Sequence, residues 1–241
     1  MIFLRRIILK LHDIGCARQM EHCKAKVEKD VPGYARYMEH LTRGTAIGVK
    51  GHPWRALDQL RVLRKVKPLR IVEIGSGTST GIFADYIHKQ SGGSLLSLDE
   101  SAKWAELTLA GLVKAGLAPI RGIELKIVTR LENDRGSFLD ISLPSEIDLL
   151  YIDGPSVMTR NGVETANQDI IRHLNAGHRP GAIMVDGRTE TVDAIREHSA
   201  SSEYDFVPSI SYIGKARNVR LGDYLTFDIY HRHSFFLRRG H

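Results

Sequence analysis

The 241-residue chain is expected to fold as an α/β protein: a doubly wound, mostly parallel sheet preceded by an N-terminal helical extension. Three observations predict this. From residue 54 onward, short apolar segments alternate with amphipathic ones of helical spacing. A glycine-rich turn stands between the first strand and the helix that follows it, and the tail is β-rich with no long helix inside it. Strands alternating with helices require crossover connections, hence parallel neighbours with helices on both faces.

The elements follow in order. Residues 1–50 read as basic helices with polar breaks, and residues 51–241 as the sheet-bearing domain. Leu57, Leu60, Val62 and Leu63 recur at helical spacing over Trp54 to Val66, and Pro68 ends that helix. Arg70 to Ile74 is a strand of the continuous apolar kind found in buried parallel sheets. Gly75 to Gly81 reads as a turn and Ile82 to Lys89 as a helix. Further strands are expected at Ser94–Asp99, Ile123–Val128, Ile147–Asp153 and Ala182–Asp186, with helices at Lys103–Ala115, Glu164–Leu174 and Thr191–His198. Tyr204–Ile213 and Tyr224–Tyr230 close the chain as a hairpin, which implies an antiparallel edge.

Composition narrows the function classes. With 42% hydrophobic and 26% charged residues, the chain has the means for a real core. No apolar run approaches the ~18 residues of a membrane span, and Met1 to Leu11 is interrupted by Arg5, Arg6 and Lys10. The two cysteines, Cys16 and Cys23, fit a reducing compartment, so a cytoplasmic location is expected. Neither lies in a Cys-x-x-Cys pair, and with His12 and His22 they read as ordinary helix residues rather than metal ligands. Charge is unevenly spread: residues 1–70 hold 16 Lys and Arg against 6 Asp and Glu, and the remainder 18 against 22. A basic front on an acidic body suits an anionic partner or a set of solvated helix faces. The apolar spacing within residues 1–11 admits packing on the body, a dimer contact in a homo-oligomer, or peripheral contact with a membrane surface.

The densest local signal is Glu73-Ile74-Gly75-Ser76-Gly77-Thr78-Ser79-Thr80-Gly81. Glycines between strand and helix let the backbone turn tightly and approach a ligand, while the helix start offers free N–H groups. Asp99 ends the next strand, where a carboxylate can accept from both hydroxyls of a ribose, and Glu100 follows it. Together these read as a nucleoside site. Thr80 stands where a dinucleotide fingerprint has its third glycine, and the lysine of a P-loop is missing. Glu73, just before the loop, is ill suited to a pyrophosphate and better suited to a cationic ligand, directly or by holding the loop. That charge logic favours S-adenosylmethionine (SAM) over NAD.

Four segments in order now resemble a family: the strand-Glu-x-Gly-x-Gly-helix unit, the strand ending at Asp99, Ile147 to Gly154, and Arg179 to Asp186. They are similar to the class I SAM-dependent methyltransferases, over roughly residues 50–230. The resemblance implies a Rossmann-like methyltransferase fold with a seven-stranded sheet whose last strand is antiparallel. It implies methyl transfer, expected here on oxygen of a small-molecule or sugar-like acceptor. It also implies a cofactor pocket made by Glu73, Gly75, Ser76, Gly77 and Thr78, with Asp99 at the ribose and Glu100 and Asp153 as further cofactor-binding residues. Where the family often has a small acidic turn for adenine, this chain reads Thr129-Arg130-Leu131-Glu132, which leaves Leu131 and Glu132 as the candidates.

Asp153 and Asp186 each end a strand, so both belong at the carboxyl edge where open α/β sheets bind ligands. Two carboxylates there can hold Mg²⁺, which would bind and orient an acceptor hydroxyl. In this the chain resembles the metal-dependent catechol-type O-methyltransferases, as does Val49-Lys50-Gly51. It departs from them in having Gly187 after Asp186 and Gly154-Pro155-Ser156 after Asp153. Asp153, Asp186 and His178 are the candidate catalytic residues, with His52 a second histidine for the base and Arg160 and Arg188 candidates to grip an anionic acceptor. Other functions stay open: RNA methylation through the basic front, a non-catalytic cofactor-binding or scaffold protein, and an NAD-linked dehydrogenase, which Thr80 and Glu73 disfavour.

Overall fold

The computed structural model describes residues 21–44, 53–117, 121–156, 158, 162–208 and 233–240. Helix α1 covers 21–30 in the described part, and is followed by α2 (Tyr34–Gly44) and α3 (Pro53–Val66). The body then runs β1 (Arg70–Ile74), α4 (Thr78–His88), β2 (Ser94–Asp99), α5 (Ala102–Ala115) and β3 (Ile123–Ile127). Next come β4 (Arg130–Asn133), β5 (Gly136–Leu139), β6 (Leu149–Ile152), β7 (Ala166–Asn167) and α6 (Gln168–Asn175). The chain closes with β8 (Ala182–Asp186), α7 (Thr189–Glu197), a 3₁₀ turn at Ser199–Glu203, β9 (Tyr204–Pro208) and β10 (His233–Arg238).

Seven strands form one sheet in the order β3-β2-β1-β6-β8-β10-β9. Pairing is parallel from β3 through β8, and β10 is antiparallel to both of its neighbours. The expected doubly wound, mostly parallel sheet is therefore present. Its strands alternate between two apolar layers, as the two-residue period of a strand requires. Ile71, Leu149, Tyr151 and Met184 face one core with Tyr37, Phe83 and Leu112; Val72, Ile74, Leu150, Ile152, Ile183 and Val185 face the other with Ile170 and Phe236. Burial on both faces explains why these strands read as unbroken apolar runs. Residues of α1, α2 and the turn between them (Cys23, Val27, Val31, Tyr37 and Leu41) belong to the first of these cores.

Several boundaries differ from expectation. Helix α4 starts at Thr78 rather than Ile82, because Thr80 accepts the Gly77 amide at 2.8 Å and so caps the helix from within the glycine loop. The expected helix from Glu164 begins only at Gln168: Asn167 caps it, accepting the Ile170 amide at 3.1 Å, and Ala166–Asn167 pairs with Gly136–Ser137. That pairing belongs to a small second sheet, β4-β5-β7, which carries Leu131 and Glu132. The final strand is β10, while the expected Tyr224–Tyr230 strand and the far end of Tyr204–Ile213 lie outside the described residues. So do residues 1–11, Val49 to His52 and Arg160. Among the described residues no helix is long and apolar enough to cross a membrane.

Candidate active site

The loop after β1 is built around Glu73, which is fully buried. Its carboxylate accepts from Thr80 Oγ1 at 2.7 Å, from Ser97 Oγ at 2.6 Å and from the Ser79 hydroxyl. Burial pushes the Glu73 carboxyl up to about 7, while the hydroxyls of Ser79, Ser97 and Thr80 pull it down and Asp99 adds to the rise. Glu73 thus lies beneath the loop and outside the cavity lining, so of its two expected roles the structure shows loop support. Thr80 explains the broken glycine fingerprint, since its hydroxyl links the Glu73 carboxylate to the Gly77 amide.

Asp99 braces the same loop from β2. One oxygen accepts from Ser76 N at 2.8 Å and Ser76 Oγ at 2.6 Å, and the other from Ser101 N at 2.8 Å. From α5, Trp104 donates its indole N–H to the Ser76 carbonyl. On the far side, the Tyr37 hydroxyl donates to the Gly77 carbonyl and Tyr34 to Thr78 O at 2.9 Å. A Cβ on Gly81 would fall 2.6 Å from the Tyr37 ring, so that glycine makes room for the tyrosine. Sequence reasoning did not find Trp104, Tyr34 or Tyr37. Only helical spacing marks them, and it marks a core residue equally well.

The loop after β6 meets the glycine loop head-on. A Cβ on Gly75 (φ +94°) would lie 2.7 Å from Asp153 C, and one on Gly154 would lie 2.7 Å from Gly75 Cα. Four side chains fix the loop. Glu100 accepts the Ser156 amide at 2.8 Å, and Asn167 donates to Gly154 O at 2.8 Å. Ser137 donates to Ser156 O at 2.9 Å, and Arg188 donates to Pro155 O at 2.6 Å and to the Asp153 carbonyl.

Between these loops opens a cavity of about 480 Å³, lined by Gly75 to Thr78, Asp99 to Ser101, Trp104 and Asp153 to Ser156. Arg55 and Arg188 stand at its wall. Gly75, Ser76, Gly77, Thr78, Asp99, Glu100 and Asp153 are thereby brought together. His178 is not: it precedes β8, whose opposite end carries Asp186, and a strand of that length separates the two sheet edges by roughly 13 Å. His178 instead packs its ring at a tilt against His173, with centroids 4.8 Å apart. Leu131 and Glu132 do not line the cavity either, and Glu132 pairs with Arg130 at 2.7 Å. Of the remaining candidates, Cys23 is a buried core residue and His22 is exposed.

No family model and no curated protein matches the sequence. Solved structures do match the architecture. The SAH-bound methyltransferase PaMTH1 of Podospora anserina aligns with a TM-score of 0.57 at 13% identity, over 92% of this chain and 96% of that one. The O-methyltransferase TomG of Streptomyces achromogenes, solved with SAM, aligns with a TM-score of 0.52 at 15% identity, over 87% and 90%. Cofactor-bound Rv0187 from MTB aligns with a TM-score of 0.52 at 17% identity, over 86% and 90%. The chain has the class I methyltransferase fold.

Within this methyltransferase fold the two aspartates of the carboxyl edge differ in setting. Asp153 keeps 42% of its side chain open at the cavity, and Asp186 only 3%. Partial desolvation by the cleft walls and the Asp186 charge push the Asp153 carboxyl up, against the pull of Arg188 and Arg55. Asp186 Oδ2 accepts Arg55 Nη1 at 2.7 Å. A magnesium ion demands about six oxygen ligands in octahedral array. Here one of two carboxylates already carries a guanidinium, and the next residue is Gly187, which has no side chain to offer. Among the described residues no group of three or more His, Cys, Asp or Glu is arranged to hold a metal. With Arg55 seated on Asp186, the donor set does not fit the expected Mg²⁺.

Proposed function

We propose that the chain is a SAM-dependent methyltransferase acting on oxygen of a small-molecule acceptor. The observation that carries this reading is the Asp99–Ser76 contact: a β2 carboxylate and the glycine loop share one wall of the cavity. SAM fits the residues present. Gly75 and Gly77 clear the backbone for close approach, and a carboxylate retains lone pairs for ribose hydroxyls after accepting amides. The cavity volume lies within the range of small-molecule sites.

When bound, SAM supplies an electrophilic methyl group on a sulfonium. The chain's own residues do the rest. The fixed loops after β1 and β6 would position cofactor and acceptor against each other, and such positioning supplies much of the rate of a displacement. Asp153, at the cavity wall, would take the proton that the acceptor hydroxyl loses, and its raised affinity for protons suits a base.

Calorimetric titration with S-adenosylhomocysteine (SAH) and with NAD⁺ tests the reading. Micromolar binding of SAH and none of NAD⁺ is expected. Binding of NAD⁺ alone would return the fold to the dehydrogenase reading.

A further inference from the structure

Arg55 lines the cavity and at the same time donates Nη1 to Asp186 Oδ2 at 2.7 Å, with 20% of its side chain exposed against 3% for the aspartate. Behind Asp186 the structure is unusual. His233, on β10, is wholly buried between two carboxylates, its Nε2 3.8 Å from Asp186 Oδ1 and its Nδ1 3.7 Å from Asp58 Oδ2. The Tyr151 hydroxyl adds a contact to Asp186 Oδ2 at 3.4 Å. Among the described residues, neither His233 nitrogen nor Asp186 Oδ1 has a hydrogen-bond partner within normal reach. A guanidinium held at a cavity by a carboxylate that is itself walled in from behind has little freedom to leave.

We propose that Arg55 is the resident cation of the acceptor site, occupying the position between Asp153 and Asp186 that a divalent ion would otherwise take, with Asp186, His233 and Asp58 as its positioning residues. The acceptor side of this inference rests on the methyltransferase reading, whereas the seat of Arg55 on Asp186 at the cavity wall stands on the contacts alone. It also names a substrate class. A guanidinium carries one delocalised charge, so it lowers the acidity threshold of a bound hydroxyl less than a divalent ion does. The acceptor oxygen must then be acidic in its own right, as in a phenol, an enol or a carboxylic acid, with Arg55 facing the oxyanion.

Manganese binding to the full chain tests this, read by the midpoint of thermal unfolding rather than by turnover. Millimolar Mn²⁺ should leave the wild-type midpoint in place, and should raise that of Arg55→Ala by about 5 °C, as a cation refills the vacated position. Arg55→Lys, which keeps a charge there, should stay insensitive, and Arg55→Gln serves if the alanine variant does not fold. A Mn²⁺ shift in the wild type, or none in either neutral variant, would overturn the proposal. SAH titrated into the wild-type protein reads the cofactor assignment separately, so loss of that reading is distinguishable from loss of this one.

Discussion

Thr80 joins the two halves of the candidate cofactor loop: its hydroxyl donates to Glu73 at 2.7 Å and accepts the amide of Gly77 at 2.8 Å. The threonine that breaks the glycine fingerprint is therefore the residue that sets the loop. Thr80→Val keeps the volume and removes both bonds, leaving a buried carboxylate short of one donor. Such a loss typically amounts to about 1–3 kcal/mol. SAH affinity should fall about tenfold, and calorimetry that shows an unchanged constant would detach the loop from the ligand.

Glu73 makes stability depend on pH. Its folded-state value of about 7 lies above the ordinary 4.5, so the folded chain holds this proton more tightly than the unfolded one. The contribution is fully present below about pH 4.5 and is lost as pH rises through 7. Glu73→Gln has no such proton. Between pH 5 and pH 8 the wild type should lose about 2 kcal/mol relative to the variant, or roughly 4–8 °C in the unfolding midpoint. Parallel melting curves across that range would show that Glu73 does not titrate as its burial dictates.

Asp99 and Glu100 should separate by role. Asp99→Ala removes three contacts that brace the loop as well as the expected partner of the ribose, and SAH affinity should drop about 100-fold. Glu100→Gln keeps an oxygen to accept the Ser156 amide, so its effect should stay within about fivefold. Equal losses in the two titrations would mean that both carboxylates act only through the loops.

Much of this fold can be read from the sequence because its strands are buried on both faces. Arg70–Ile74 and Ala182–Asp186 are apolar runs with one mandatory reading in an α/β chain, and their carboxyl ends locate Gly75 and Asp186 at the site. The small sheet was illegible for the opposite reason. Arg-Leu-Glu-Asn of β4 and the two residues of β7 carry no apolar period, and their pairing depends on where α6 and the β6 loop happen to sit. Glu73 was visible as a charge, but its direction depends on which layer the strand alternation assigns it to. The Arg55–Asp186 pair spans 131 residues, so only the assembled sheet brings the two together, and a charge on an amphipathic helix announces nothing of the kind. His178 stands apart from the site because a histidine before a strand and one after it look alike in sequence, although they stand on opposite edges of the sheet.

The closest backbone approach in the site gives the sharpest test. A methyl group on Gly75 would lie 2.7 Å from the carbon and oxygen of Asp153 and from the nitrogen of Gly154, all main-chain atoms that cannot rotate aside. Its φ of +94° is also one that alanine adopts only at a cost. Relief requires parting the ends of β1 and β6, which are held by the Asp153 amide donating to Ile74 O at 2.8 Å. Gly75→Ala should therefore cost about 3 kcal/mol and abolish measurable SAH binding. Gly92 offers the matched control, because its φ of +79° is comparable but a methyl group there meets nothing within 4 Å. Gly92→Ala should cost only about 1 kcal/mol of backbone strain and leave SAH affinity unchanged. Thermal melts and SAH titrations of the pair separate strain from collision, and equal losses in both variants would mean that the facing glycines do not shape the candidate cofactor site.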